Sequence, residues 1–153
     1  MTKLLLSLHV LAAILAVGPV AVAASMFPAA LRRLGADDPG GDRTDPAGLG
    51  ALRTLHRVCR VYAGVAVAVP VLGFATASEM GVLHSAWLIT SIVLTAVAAG
   101  VLALLLLPAQ EAALETFSVA AAPRLAMLAG VFNLLWATVT VLMVVRPGST
   151  TGA

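Results

Sequence analysis

A single ionisable ring, His9, interrupts the run LLLSLHVLAAILAVGPVAVAA that extends from Leu4 to Ala24. An intramembrane ionisable residue marks a functional site by default, because placing it in hydrocarbon is costly. A neutral imidazole can bind haem iron or another metal through one nitrogen while the other is oriented by a hydrogen bond. His84, at the start of the third apolar run, is the second candidate ligand. Ser91 and Thr140 are candidates to orient His9 from behind, and Thr95 and Asn133 are further polar groups inside apolar stretches.

These side chains need elements to hold them. The chain has 153 residues, of which 61% are hydrophobic and only 10% charged, a composition too apolar for an ordinary soluble domain. Four windows reach the length of about 20 apolar residues that crosses a bilayer. They are Leu4–Ala24, Val58–Ala77, Ala86–Leu107 and Leu125–Val145. The expectation is one all-α, polytopic membrane domain over residues 1–153, a four-transmembrane-helix bundle. Unbroken apolar runs exclude a β-barrel, whose strands alternate.

The pI near 9.3 is no signature of nucleic-acid binding, because the basic residues are few and sit at one membrane side. Residues 25–57, read as a long loop, carry Arg32, Arg33, Arg43, Arg53 and Arg57, with Arg60 just beyond. The positive-inside rule then places that loop in the cytoplasm and both termini outside, in a multi-pass protein of the plasma membrane. Lys3, Pro19 and the small residues Ala21–Ser25 also permit a cleavable signal, although the apolar run exceeds the usual core of about 7–15 residues. Asp37, Asp38, Asp42 and Asp45 lack the spacing of a calcium loop. Glu111 and Glu115 stand one helical turn apart, compatible with a short interfacial helix between the third and fourth spans. The lone Cys59 allows neither an intrachain disulfide nor CxxC chemistry.

Helical periodicity sorts each span into a small or polar face and a bulky one. His9, Ala12, Ala13, Ala16, Val20 and Ala23 share a side in the first span, opposite Leu4, Leu8, Leu11, Ile14, Leu15 and Val22. Cys59, Ala63, Ala66, Pro70, Gly73 and Ala77 align in the second, and His84, Ser91, Thr95 and Ala98 in the third. Ala126, Ala129, Asn133, Ala137 and Thr140 form the stripe of the fourth. Membrane helices associate through small residues and interhelical hydrogen bonds, so these faces are expected to meet, with His9 pointing inward. His9, Ser91 and Thr140 fall at similar depth, with Gly73 in the same layer to leave room. The plainer alternative is that they form a satisfied interhelical cluster, each bond worth about 0.6–2 kcal/mol. His84 starts roughly 10 Å above His9 at the helical rise, and the alternative to a second ligand there is an exposed rim histidine. His56, among Arg53, Arg57 and Arg60, reads as part of a basic, lipid-facing collar. Pro19 and Pro70 are expected to kink their helices.

The pattern LHVLAAILAVGP resembles small bacterial four-span integral membrane proteins of unknown function. More distantly, LH in span one, LHSAWL opening span three, FN in span four and VVRP closing it resemble HemJ-type protoporphyrinogen oxidases and the CopD-like membrane domain. The resemblance implies a haem-associated or redox-linked bundle with His9 and His84 as functional histidines. Ser85 and Ala86 stand where the HemJ type tends to carry a basic residue, so porphyrinogen oxidation is not carried over and no catalytic residue is assigned. No Cys, Met or carboxylate cluster supports copper handling. A structural or assembly subunit of a larger membrane complex, partnered by another membrane protein or by its own copies, is the alternative. A small transporter is weaker, because no carboxylate lies within a span.

Overall fold

Each apolar window folds as a helix, and each helix runs past the window that predicted it. The computed structural model describes residues 2–36 and 46–148. Its helices are α1 (Thr2–Ala36), α2 (Pro46–Val65), α3 (Ala68–Glu79), α4 (Ala86–Gly100), α5 (Leu107–Thr116) and α6 (Ala122–Val145). A π-helical turn, Val101–Leu106, joins α4 to α5, and a short 3₁₀ turn, Val119–Ala121, leads into α6. Four continuous stretches are long and apolar enough to cross a membrane: Thr2–Gly35, Pro46–Glu79, Ala86–Thr116 and Val119–Val145. The protein is therefore an all-α, multi-pass membrane bundle of four spans. Among the described residues there is no strand.

Much of the expected loop 25–57 is thus helix. At 1.5 Å per residue, the 35 residues of α1 reach about 52 Å, beyond the hydrocarbon thickness of about 30 Å. The Arg-rich end projects as a helical stub, closed by Phe27 and Leu31 of α1, Leu52 of α2, Ala113 of α5, and Ala122 and Leu125 at α6. That apolar core keeps the chain helical where lipid no longer demands it. Gly35 is needed there, since a β-carbon would strike Val119. The third connection, expected to hold a short separate helix, is instead α5, continuous with the third span, with Glu111 and Glu115 exposed. The acidic residues Asp37–Asp45 lie outside the described residues.

Proline effects differ among the spans. Pro70 has no N–H to offer the carbonyl of Ala66, and the helix breaks there: Val69 N–H reaches Ala66 O in a tighter turn at 3.0 Å. Pro108 likewise leaves Leu104 O without its helical donor, and the π-turn directly before α5 absorbs the mismatch. Pro19, expected to kink the first span, leaves α1 unbroken, as does Pro28.

Packing follows a simple order. α1 is central, touching α2, α3 and α6; α4 lies against α6, and α5 against α2. All four spans meet in a core of Val20, Ala23 and Ala24, Cys59, Ala98, Leu102 and Leu106, with Leu128, Ala129 and Phe132. At the opposite end from the Arg-rich stub, Ala77, Trp87 and Leu88 form a smaller cluster beneath Val82 and Leu83 of the turn between α3 and α4. The small face expected for α1 is the inward one: Ala16, Val20 and Ala23 are buried, and Leu4, Leu8, Leu11, Ile14, Leu15 and Val22 are exposed.

The fourth span corrects its expectation. Of the expected stripe Ala129 is buried and Ala126 and Asn133 are half-buried, but Ala137 and Thr140 are exposed, and the larger Leu125, Leu128, Phe132 and Val139 are buried beside it. The inward face is rotated by about one residue from the small stripe. The reason is complementarity: interiors pack to uniform density, so the small residues of α1 need large side chains opposite them. Pro70 is also exposed rather than inward. It acts through the backbone, not through the seam.

Candidate functional site

His9 is half-buried on α1 and docks on α3. Its Nδ1 lies 2.9 Å from the carbonyl oxygen of Val69. A carbonyl only accepts, so Nδ1 carries the proton and donates, and Nε2 of the neutral ring keeps its lone pair. The contact falls beside the helix break made by Pro70. Below the ring is Gly73, where a β-carbon would lie 2.8 Å from Cε1, 3.2 Å from Nδ1 and 3.6 Å from Nε2. The first of these distances is impossible for real atoms. Only glycine lets the imidazole lie against the α3 backbone, and the expected room at Gly73 is present and filled by the ring.

The other predicted polar groups are held elsewhere. Ser91 is buried on α4, and its hydroxyl donates to Trp87 O in its own helix at 2.8 Å. Thr95 donates to Ser91 O at 2.7 Å, and the exposed Thr140 to Trp136 O at 2.9 Å. Hydroxyls of Ser and Thr make this bond to the carbonyl four residues back whenever no better acceptor is near. The hydrogen bonds therefore do not join Ser91 or Thr140 to His9, and the orienting partner of His9 is a backbone carbonyl instead. His84 is exposed on the turn after α3, at the same end of the molecule as His9. Asn133 donates to Ser25 Oγ at 3.0 Å, tying α6 to α1. Its Oδ1 and the nearby Trp136 Nε1 are buried without partners. Trp87 is buried, and the Arg146 guanidinium stands 5.8 Å from its ring centre.

A second polar cluster lies toward the Arg-rich end, and sequence reading missed it. Gln110 on α5 is fully buried. Its Oε1 accepts from His56 Nδ1 at 3.1 Å, and its Nε2 donates to Cys59 Sγ at 3.7 Å. The Cys59 thiol in turn points to Val20 O at 4.0 Å. The amide thus joins α5 to α2, and the Cys59 thiol carries the link on to α1. His56 is half-buried and braced inward rather than lying free in a collar. The available signal was that Gln110 is the chain's only glutamine, with His56 and Cys59 three residues apart on one helix. Ending the third span at Leu107 placed Gln110 in a connection, where a buried role had no reason to be sought.

Among the described residues no three His, Cys, Asp or Glu side chains gather as a metal cluster would require. The described residues thus present single nitrogen ligands, not a closed metal cage. No family model, curated protein or solved structure matches the chain.

Proposed function

We propose that this chain is a multi-pass protein of the bacterial plasma membrane in which His9 serves as a nitrogen ligand to haem or a comparable redox-linked group. The Arg-rich end lies in the cytoplasm and both termini lie outside, by the positive-inside rule. One observation carries the reading. The His9 Nδ1–H bond to Val69 O at 2.9 Å fixes the tautomer and ring plane and leaves Nε2 as a lone-pair donor. Ligating histidines are oriented in this way, with the second nitrogen donating to a carbonyl or carboxylate.

The residues present fit such a group through one nitrogen ligand. His9 would hold it from the α1–α3 seam. The exposed His84 at the same end is the second histidine within that half of the molecule. Gly73 keeps the ring flat against α3, and the break at Ala66–Val67 keeps the Val69 carbonyl near it. Haem, when bound, would supply one-electron chemistry. The protein's part is to fix one nitrogen, exclude water from it by apolar surroundings, and so set the iron's environment.

The plainer reading, a structural or assembly subunit, is supported by Ser91, Thr95 and Thr140, whose hydroxyls are all satisfied within their own helices. Such a subunit would act through a membrane-protein partner or through further copies of itself. Absorption spectra of the detergent-purified protein, recorded with and without dithionite, separate the two. A Soret band present in the native chain and lost in His9→Ala supports the ligand reading. A colourless protein that stays colourless after haem addition, and co-purifies with a stoichiometric partner, favours the assembly subunit.

A further inference from the structure

Arg53, Arg57 and Arg60 recur on α2 at spacings of four and three residues, which confines them to one arc of the helix. All three are exposed, and none has a hydrogen-bond or ion-pair partner among the described residues. Leu52 and Cys59, on the adjoining face, are buried in the bundle. The arginines therefore flank the packed side of α2 rather than joining it. His56 stands between the two faces, its Nδ1 committed to the fully buried Gln110.

Depth decides what these cations meet. With Glu79 set at the outer edge of a hydrocarbon layer about 30 Å thick, a rise of 1.5 Å per residue puts Arg60, Arg57 and Arg53 about 28, 33 and 39 Å along the span. Arg60 is at the hydrocarbon edge, Arg57 in the headgroup layer and Arg53 just beyond it. An arginine at the edge reaches its guanidinium outward along an apolar stem. The three guanidinium groups thus converge on the layer where lipid phosphates are concentrated. Arg32 and Arg33 on α1 are exposed as well, but Leu31 packs with Leu52, so both stand level with Arg53 or beyond it and on a different helix from Arg57 and Arg60.

We propose that Arg53, Arg57 and Arg60, held on one side of α2 by the bonds of His56 and Cys59 to Gln110, form a headgroup site for an anionic phospholipid in the leaflet at the Arg-rich end. Each guanidinium offers forked N–H donors that match phosphate oxygens. The buried Gln110 makes this more than a diffuse basic rim, because its bonds to His56 and Cys59 fix the rotation of α2 and with it the side to which the three arginines are turned. The site rests on the chain spanning a bilayer and is independent of any ligand at His9.

The test uses the full chain in detergent, titrated with dioleoyl phosphatidylglycerol or dioleoyl phosphatidylcholine and read by native mass spectrometry. At about 1 kcal/mol per arginine near an anionic surface, a factor of about five each, the Arg53→Gln, Arg57→Gln, Arg60→Gln triple variant should bind phosphatidylglycerol about 100-fold more weakly. The Arg32→Gln, Arg33→Gln variant should retain it to within about threefold, and phosphatidylcholine should bind weakly to all three proteins. If the triple variant does not fold, Arg57→Gln alone serves, with an expected loss of about fivefold. Equal binding of the two lipids, an unchanged triple variant, an equal loss in the α1 variant, or displacement of the lipid by millimolar inorganic phosphate would each overturn the proposal.

Discussion

The two half-buried histidines at opposite ends of the bundle are held by different means. His9 rests on bare backbone: it donates to Val69 O and lies against Gly73, so its partner requires no side chain at all. His56 is held by a side chain, Gln110, which also engages Cys59 and is fully buried. Both rings bond through Nδ1, but the first arrangement costs the fold little to disturb. The second joins α5 to α2 and reaches α1 only through the Cys59 thiol, and disturbing it strands buried polar atoms. One end of the molecule is built to present a nitrogen, the other to fix a register.

That contrast ranks the consequences of substitution. Gln110→Ala removes a buried side chain and leaves His56 and Cys59 without their shared partner. The expected destabilisation is about 3 kcal/mol, read as a lowered midpoint of unfolding in a denaturing-detergent titration. Gly73→Val drives a β-carbon into the His9 ring. It should cost about 2 kcal/mol through overpacking and expel the imidazole from the α1–α3 seam. An effect on Gly73→Val as small as that of a lipid-facing change such as Gly64→Ala, where a β-carbon meets nothing, would break the comparison. His9→Ala loses one hydrogen bond and should cost about 1 kcal/mol while abolishing any haem signal. Cys59→Ala, which removes only long sulfur contacts, should fall below about 1 kcal/mol.

The sequence announced the His9 end and hid the His56 end, for physical reasons. A lone ionisable group in an apolar run stands out, and 3.6-residue periodicity put it on the small face of α1 that is in fact buried. Gly73 was legible because glycine at the same depth implies close approach. The carbonyl partner was not, since backbone acceptors are present at every residue and leave no mark in composition. Gln110 escaped because hydropathy ends a span at the hydrocarbon edge, whereas the helix continues into a stub with its own apolar core. The inward face of α6 was misread for a related reason. Small residues mark a close contact only when both helices contribute them, and here α1 supplies the small side while Leu128 and Phe132 fill the space.

The claim on which the functional reading turns is that the ring near the chain's start keeps one nitrogen bare. Nitrogen-15 NMR of histidine-labelled protein in lipid bilayers, assigned by comparison with His9→Ala, reports that state directly. Protonated Nδ1 with unprotonated Nε2 is the predicted result, moving on haem addition. A proton on Nε2 with Nδ1 bare would mean that the bond to Val69 does not form, and His9 would then have no oriented ligand to offer.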